Sequence, residues 1–386
     1  MALATGTLVM SLVSCQVDHE NRGPEARQGV SSGRPDPVRL TANVGDLAAV
    51  PVAKALEISA PGGGLQRLAV ATRGGHRLRG VLEGDVWRLT SRLEPGTDYV
   101  ARATAVRSDG ERVERVLEFR TQDLSLDQQT YASVAPLAGE TVGVGMPVIV
   151  SFDLPVTDRA AFERHMRVSS TPSQPGSWHW LSDNEAHWRP KTYWQAGTEV
   201  SVDIDVNSVP AGNGVFGQES RSVDFRVGAA NVYKVDARSH RMQVFSGGEL
   251  LRTIPITTGK AGFITRSGVK VVMEKFAEKR MNSETVGIAS DDPEAYDIDD
   301  VQWAMRLTHS GEFIHAAPWS VGSQGSANVS HGCTGLSTQD AAWLYAMSKR
   351  GDVVEYTGTD RWMTLENGYG DWNVSFDDYR NGSALS

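Results

Sequence analysis

The stretch Phe313-Ile-His315-Ala-Ala-Pro-Trp319-Ser-Val-Gly-Ser-Gln-Gly-Ser-Ala-Asn-Val-Ser330-His331-Gly332-Cys333-Thr-Gly-Leu-Ser337 reads as a short apolar strand, a glycine-rich loop and the start of a helix. A cysteine nucleophile needs a base within hydrogen-bond reach, and the base needs a partner that holds its tautomer. His331 lies two residues from Cys333, whereas His315 ends the strand and can approach from across a sheet. We therefore predict acyl transfer by Cys333, with His315 as general base and His331 orienting the loop or contacting substrate.

The loop around Cys333 also suggests how the thiol becomes reactive. Amide N–H groups of a glycine-flanked loop attract an anion, so we expect a lowered thiol pKa and a place for an oxyanion. Gly332 has no Cβ and lets backbone and substrate come close. Two other interpretations stay open, an inert packed cysteine and a zinc site of His309, His315, His331 and Cys333, although the spacing of the four matches no familiar zinc pattern.

C-terminal to this stretch the sequence predicts one helix, one strand and an aromatic tail. Helical periodicity is clear from Ser337 to Ser348, with Ser337 or Thr338 as N-cap and Lys349-Arg350-Gly351 at the end. A strand over residues 352–356 follows. Residues 358–386 hold five aromatic side chains among Gly, Asn and Asp: Trp362, Tyr369, Trp372, Phe376 and Tyr379. Because aromatic side chains usually pack, we expect this tail to fold back onto the preceding domains.

N-terminal to the stretch 313–337, short runs of alternating apolar and polar residues are separated by Gly, Pro and Asp turns. They predict two antiparallel sandwiches, over residues 38–122 and 123–228. One pattern occurs in both: Trp87-Arg88, Pro95-Gly96-Thr97 and Phe119-Arg120 in the first, and Trp188-Arg189, Ala196-Gly197-Thr198 and Phe225-Arg226 in the second. A recurring order of Trp, turn and strand favours tandem immunoglobulin-like domains. Residues 229–357 stay rich in strands, so the predicted fold class is mainly β.

The first fifteen residues are an apolar stretch too short to span a bilayer as a helix. They end in Leu12-Val13-Ser14-Cys15, which resembles the bacterial lipoprotein processing box and predicts lipidation of Cys15. An ordinary cleaved signal or a buried start is the alternative. Residues 16–37 are polar and predict a flexible tether. We therefore expect an exported protein held by its lipid at the outer face of the cytoplasmic membrane.

Composition excludes two classes of protein. The 386-residue chain has a formal net charge of −9, spread along its length, and has no long basic stretch. We therefore expect no nucleic-acid partner. Its two cysteines, Cys15 and Cys333, are too few for a disulfide framework.

At His315 and Ser330-His331-Gly332-Cys333 the chain resembles the L,D-transpeptidases. The longer match, His-x-Ala-Pro-Trp-Ser-Val-Gly from His315 and Lys-Arg-Gly-Asp-x-Val-Glu from Lys349, is similar to one subgroup of that family. Its members carry a lipid anchor, two immunoglobulin-like domains, a catalytic β-sandwich and an aromatic tail. The resemblance thus implies that residues 229–357 are the catalytic domain.

The resemblance also implies roles for single residues. Cys333 becomes the nucleophile, His315 its base, and the carbonyl of Ala316 the third member of the catalytic group. Tyr296 falls where the family has a substrate-lid tyrosine. Thr334-Gly335 replaces a large aliphatic residue followed by Asn or Arg, which removes a polar side chain near the pocket. The candidate substrate contacts, with core packing as the alternative for both aromatic residues, are Tyr296, Trp319, Ser330, Thr334 and Gly335.

The reaction implied is a cross-linking of peptidoglycan stem peptides. The sulfur attacks the carbonyl before the terminal D-Ala of a tetrapeptide donor, D-Ala leaves, and an amine of an acceptor stem takes the acyl group in a 3→3 link. It requires no metal or organic cofactor, and carbapenem-type β-lactams would acylate the same sulfur. The alternatives are an L,D-carboxypeptidase or other cysteine acyl hydrolase, and a catalytically weak wall-binding protein.

Overall fold

The computed structural model describes residues 37–386 as three consecutive β-sheet units and a C-terminal segment. The predictions for residues 1–15, including lipidation of Cys15, and for nearly all of the tether lie outside the described residues. From residue 37 onward, no helix has both the length and the apolar character that crossing a membrane requires.

The first unit consists of two sheets around one core. Their strand orders are β1-β2-β5-β4 and β3-β6-β7. The strands are β1 Thr41–Ala42, β2 Glu57–Ser59, β3 Gly63–Thr72, β4 Gly80–Glu83, β5 Val86–Leu89, β6 Asp98–Arg107 and β7 Arg112–Arg120. Alternate residues of β6 point inward, so Tyr99, Ala101, Ala103 and Ala105 are buried against Trp87 and Ile58 of the facing sheet.

The second unit has the same two-sheet plan with a larger core. Its sheets run β13-β14-β11-β9 and β10-β18-β15-β12, and a small third sheet runs β16-β17-β8. The elements are β8 Gln129–Thr130, β9 Ala132–Ala135, β10 Thr141–Val142, β11 Val148–Phe152, α1 Arg159–Glu163, β12 Met166–Thr171, β13 Gly176–Ser182, β14 Glu185–Pro190, β15 Glu199–Ile204, β16 Pro210–Gly212, β17 Val215–Gly217 and β18 Arg221–Val227, with a 3₁₀ turn at Leu126–Gln128 before β8. The predicted boundary at residues 122–123 falls between β7 and β8.

The repeated tryptophan occupies equivalent positions in the two units. Trp87 on β5 and Trp188 on β14 are both buried. Each indole lies over a glycine on the neighbouring antiparallel strand, which pairs with the residue two places after the tryptophan. A Cβ would come within 2.0 Å of the Trp87 ring at Gly80 and within 2.2 Å of the Trp188 ring at Gly176. The tandem sandwiches predicted from this repeat are therefore confirmed, and a glycine makes room for the ring in each.

The third unit packs two sheets around a core that includes Tyr233, Met305, Ile314 and Leu344. Its sheets run β21-β20-β19-β27-β22 and β23-β24-β25-β26. The elements are β19 Asn231–Asp236, β20 Arg241–Ser246, β21 Glu249–Pro255, β22 Gly268–Val271, β23 Glu274–Asn282, β24 Asp297–Arg306, β25 Phe313–Ala316, β26 Thr334–Leu336, α2 Thr338–Met347 and β27 Val353–Thr357, with 3₁₀ turns at Ser283–Val286 and Pro318–Ser323. The predicted helix is confirmed as α2, and the Ser337 side chain caps it by accepting the Asp340 amide.

The C-terminal segment lies across the second and third units. It contains a 3₁₀ turn at Asp371–Asn373 and a short helix, α3 Phe376–Arg380. The indole of Trp372 donates to the Gly145 carbonyl at 2.8 Å in the second unit, and Asn373 bonds the backbone of Val269 on β22. Tyr379 is fully buried, whereas Trp362 is 69% exposed. Most of the tail aromatics thus pack as expected, and Trp362 does not.

The second and third units share a continuous interface. The amides of Gly143 and Gly145 donate to the carbonyls of Arg350 and Gly351, and Val353 on β27 belongs to the core of the second unit. The first unit meets the second through exposed polar pairs instead, for example Arg92 with Asp205. The second sandwich and the tail therefore brace the sheet of β27 and β22, which packs against the sheet that carries the predicted catalytic residues.

Candidate active site

Two adjacent strands deliver the predicted nucleophile and base. β25 and β26 pair in parallel, with His315 opposite Gly335, and Cys333 immediately precedes β26. Because side chains alternate along a strand, His315, Cys333 and Gly335 face the same side of the sheet. All three line one cavity of ≈ 230 Å³. The structure thus brings His315 to Cys333 from across the sheet.

The same cavity gathers four more of the predicted residues. Tyr296, Trp319, Ser330 and His331 line it. It also contains residues that the sequence analysis did not single out: Thr257, Met281, Ile298, Ala317, Ser320 and Val329. The antiparallel register of β23 and β24 places Met281 opposite Ile298. That pairing joins residues far apart in sequence without a motif, so only the fold could reveal it.

The imidazole of His315 is held in one tautomer. Its side chain is buried and Nδ1 lies 2.8 Å from the Ala316 carbonyl oxygen. A carbonyl only accepts, so in the neutral ring Nδ1 carries the proton and Nε2 keeps a free lone pair. Burial lowers the pKa of His315, with the Ala316 carbonyl acting in the opposite direction. The ring is therefore a neutral base, partly covered by a stacked Trp319 at 5.8 Å between centroids.

The thiol of Cys333 differs from the expectation. Burial raises its pKa to about 12, and nearby Glu312 adds to the rise, while the Phe313 amide and Lys270 act against it. Sγ is 3.6 Å from the Gly311 carbonyl. The prediction of a thiol pKa lowered by loop amides is wrong, because desolvation of the sulfur outweighs the Phe313 amide. The resting nucleophile is a neutral thiol.

Ser330 and Gly332 form hydrogen bonds within the loop that carries Cys333. The Gly332 amide donates to the Ser330 hydroxyl at 3.1 Å, and that hydroxyl donates to the Cys333 carbonyl at 2.6 Å. Gly332 has φ +125°, a conformation that side-chain-bearing residues rarely adopt, and its carbonyl accepts from Thr265. Gly332 does not line the cavity and acts through the shape of the loop, whereas Ser330 both shapes the loop and lines the cavity.

His331 ties the loop to the wall of the cavity. Its ring packs on Phe263 and Tyr296, at 4.6 and 5.1 Å between centroids. Nε2 lies 2.8 Å from the carboxylate of Glu294, which also pairs with Lys260. These contacts give His331 an orienting position, and they hold Tyr296 over the cavity.

Besides Gly332, three predicted residues lie away from the cavity. Thr334 is fully buried with its hydroxyl 2.6 Å from that of Tyr356, so its assignment as a substrate contact is corrected. The reason is strand alternation, which turns Thr334 inward with Ile314 and Leu336. Ala316 contributes only its carbonyl. His309 is exposed on a turn, and within residues 37–386 no three His, Cys, Asp or Glu side chains are grouped as metal ligands would be.

A second cavity reaches the sulfur from another side. It measures ≈ 120 Å³ and shares Met281, Tyr296 and Cys333 with the first. Its lining also includes the basic side chains Lys279, Arg280, Arg306 and His309, of which the two arginines pair with carboxylates outside the cavity. A thiol with a neutral base beside it and access from two directions can form an acyl-enzyme and pass the acyl group to a second molecule.

Comparison with known proteins agrees with this geometry. Family models match for a bacterial Ig domain over residues 47–210 and for the L,D-transpeptidase catalytic domain over residues 230–355. L,D-transpeptidase 2 of Mycobacterium tuberculosis is 35% identical over 350 residues, which is 90% of this chain and 85% of that protein. L,D-transpeptidase 5 of the same species is 35% identical over 365 residues, 91% of this chain and 78% of that protein.

Solved structures lead to the same group. An L,D-transpeptidase in complex with imipenem matches 60% of this chain and 99% of its own, at 38% identity and a TM-score of 0.53. An L,D-transpeptidase from Mycobacterium smegmatis matches 59% of this chain and 99% of its own, at 38% identity and a TM-score of 0.50. With sequence, fold and site in agreement, the chain belongs to the L,D-transpeptidase family.

Proposed function

We propose that this enzyme forms 3→3 peptidoglycan cross-links through a thioester on Cys333. The observation that carries the proposal is that His315 and Cys333, on adjacent strands, line one cavity with Nε2 of His315 left free to accept a proton. A tetrapeptide stem is the donor and a second stem is the acceptor.

In the first half of the reaction Sγ attacks the carbonyl carbon between the diamino acid and the terminal D-Ala. The raised pKa of the thiol and the lowered pKa of His315 disfavour a standing ion pair, so the proton moves to Nε2 as the C–S bond forms. The tetrahedral intermediate collapses, the C–N bond breaks, and His315 returns that proton to the amine of D-Ala. A thioester remains.

In the second half an amine of the acceptor stem attacks the thioester while His315 takes its proton. The C–S bond breaks, and the leaving sulfur regains a proton from the imidazolium. The second cavity supports transfer to an amine, because it gives another molecule access to the sulfur while the donor occupies the first. Its basic side chains suit the carboxylates that stem peptides carry.

The test is to incubate the full chain with disaccharide tetrapeptides and weigh the products. We expect dimers that lack one D-Ala, and none from Cys333→Ala or His315→Ala. Tripeptide without dimer would instead establish an L,D-carboxypeptidase, and dimers formed by Cys333→Ala would refute the mechanism.

A related structure in the family binds imipenem, which supports the proposal that carbapenems acylate Cys333. Intact-protein mass after incubation with imipenem should show one adduct. The adduct should be absent in Cys333→Ala. A wild-type chain that gains no mass would contradict the proposal.

We also propose that lipid on Cys15 anchors the enzyme at the outer face of the cytoplasmic membrane, where its substrate lies. Support comes from the sequence Leu12-Val13-Ser14-Cys15. Cys15→Ala should move the protein from the membrane fraction to the soluble fraction, and a variant that still sediments with membranes would exclude lipidation.

A further inference from the structure

A buried charged cluster that the mechanism does not use lies behind Cys333. Lys270 on β22 has a side chain with 0% exposure, and its Nζ lies 2.5 Å from Oε2 of Glu312. The other oxygen of that carboxylate accepts from the Arg266 amide at 3.1 Å and from its guanidinium at 2.9 Å. Two cations thus meet one carboxylate, which leaves a net charge of +1 in the interior.

The cluster lies close to Gly332, and Tyr356 connects it to Thr334, so it approaches both residues that flank the nucleophile. On one side, the Glu312 Cγ lies 3.7 Å from the position that a Cβ on Gly332 would take. On the other, Lys270 Nζ lies 3.7 Å from the centroid of the Tyr356 ring, and the Tyr356 hydroxyl meets that of Thr334. Lys270, Glu312, Arg266, Tyr356 and Thr334 therefore form a layer beneath Cys333, here called its floor.

Stability alone gives little reason for this arrangement. Taking an ammonium and a carboxylate out of water costs several kcal/mol per ion, and apolar replacements of the same volume are often as stable or more so. Neither Lys270 Nζ nor Glu312 Oε2 makes a well-directed hydrogen bond, despite their close approach. A buried ion pair that costs stability, lacks well-directed hydrogen bonds and lies beside a nucleophile indicates an electrostatic effect on that nucleophile.

We propose that Lys270 is a positioning residue for acyl transfer: its buried ammonium, held by Glu312, keeps positive charge behind Cys333 and stabilises the partial negative charge that develops on sulfur as the thioester forms or breaks. The inference rests on the proposed function for its purpose, but its physical content concerns the thiol alone. In a buried site such a charge is weakly screened and acts strongly over a few ångström.

The directions of the pKa shifts agree with this role. Lys270 lowers the pKa of Cys333, whereas Glu312 raises it by more, so the ammonium offsets part of the effect of the carboxylate. Burial lowers the pKa of Lys270 itself to about 8, against the effect of Glu312, so the ammonium is still mostly charged near neutral pH. The other titratable groups around the sulfur are Tyr296 and Tyr356, whose raised pKa values leave them uncharged, the histidines 315 and 331, and the side chains of the second cavity, Lys279, Arg280, Arg306 and His309.

The experiment measures how fast iodoacetamide alkylates Cys333 in the full chain from about pH 6 to pH 8, with the adduct located by peptide mass. Lys270→Met leaves Glu312 paired with Arg266, so the cluster becomes neutral. We expect the pH–rate curve to move up by about one unit, which is a roughly tenfold slower reaction at fixed pH. Lys270→Met/Glu312→Leu restores the net charge of +1 and should bring the curve back towards wild type.

Thr334→Val is the matched control, because it removes a hydroxyl from the same floor without changing any charge. Its curve should coincide with that of the wild type. A double variant that reacts as slowly as the single one would overturn the proposal. So would a folded Lys270→Met with an unmoved curve. Since alkylation needs no stem peptide, a wild type without cross-linking activity would refute the proposed function and leave this inference standing.

Discussion

The tail should release from the second sandwich as pH rises, because a buried ion pair holds it there. Nδ1 of His187 on β14 lies 2.9 Å from Asp371, and Nε2 lies 3.1 Å from Glu185. The Tyr379 hydroxyl also donates to Asp371 at 2.9 Å. Burial opposes the charge on His187, but the two carboxylates outweigh it and raise its pKa from 6.5 to about 9.

The sign and size of the effect follow from linkage. A folded pKa above the unfolded value means that the charged ring contributes stability that is fully present below about pH 6.5 and is lost as pH rises through about 9. The rise of roughly 2.5 in pKa corresponds to about 3 kcal/mol, at 1.36 kcal/mol per pH unit, as an upper bound for this coupled pair. Asp371, whose pKa is lowered, gives a second loss only in strong acid.

The assay is urea unfolding of the full chain at about pH 6 and pH 9.5, with hydrogen exchange in residues 371–386 as the local readout. We expect the wild type to lose up to about 3 kcal/mol more than His187→Gln between the two pH values. His179→Gln is the matched control, because His179 also contacts the tail but bonds the Tyr379 carbonyl and not a carboxylate. Equal pH dependence in wild type and His187→Gln would refute the reasoning.

Three further outcomes follow from the site. Thr334→Val should keep transpeptidase kcat/KM within about threefold. It should lower the free energy of unfolding by about 1 kcal/mol, because it removes one buried hydrogen bond to Tyr356. A large loss of rate at unchanged stability would show that Thr334 contacts the substrate. Trp319→Ala should leave stability nearly unchanged, since Trp319 is 57% exposed, but move the acidic limb of the pH–rate profile upward as water reaches His315; an unmoved limb would contradict the shielding. Hydrogen peroxide should oxidise Cys333 at about pH 7 at least a hundredfold more slowly in the folded chain than in urea, because a pKa of about 12 leaves very little thiolate; equal rates would disprove the raised pKa.

The sequence predicted the parts of this enzyme that depend on local pattern. The alternation of short strands, the Trp-Arg repeat and the capped helix after Ser337 all occur within a few residues of one another, so each could be recognised before folding. The approach of His315 to Cys333 was also predictable, because a strand and a following loop in one short segment tend to return to the same sheet.

The errors arose where the answer depends on what surrounds a residue. Thr334 follows the nucleophile, and only the register of β26 shows that it points into the core. The thiol pKa was assigned from its loop, yet desolvation by the folded sheet dominates. Lys270 lies in β22 and Glu312 directly before β25, with no motif between them, so their contact beneath Cys333 appears only after β22 and β25 are assembled.

A neutral thiol beside a neutral imidazole makes the substrate part of the activation. Moving the proton from sulfur to His315 before attack would create two charges in a buried site, at a high cost. If the C–S bond forms as the proton leaves, the charge passes to the carbonyl oxygen and never resides fully on sulfur. The enzyme would then react faster with a carbonyl already held against Cys333 than with electrophiles that merely diffuse past. Positive charge from Lys270 reduces the remaining barrier without producing a free thiolate, so selectivity and reactivity have the same source, the burial of Cys333 above a charged floor.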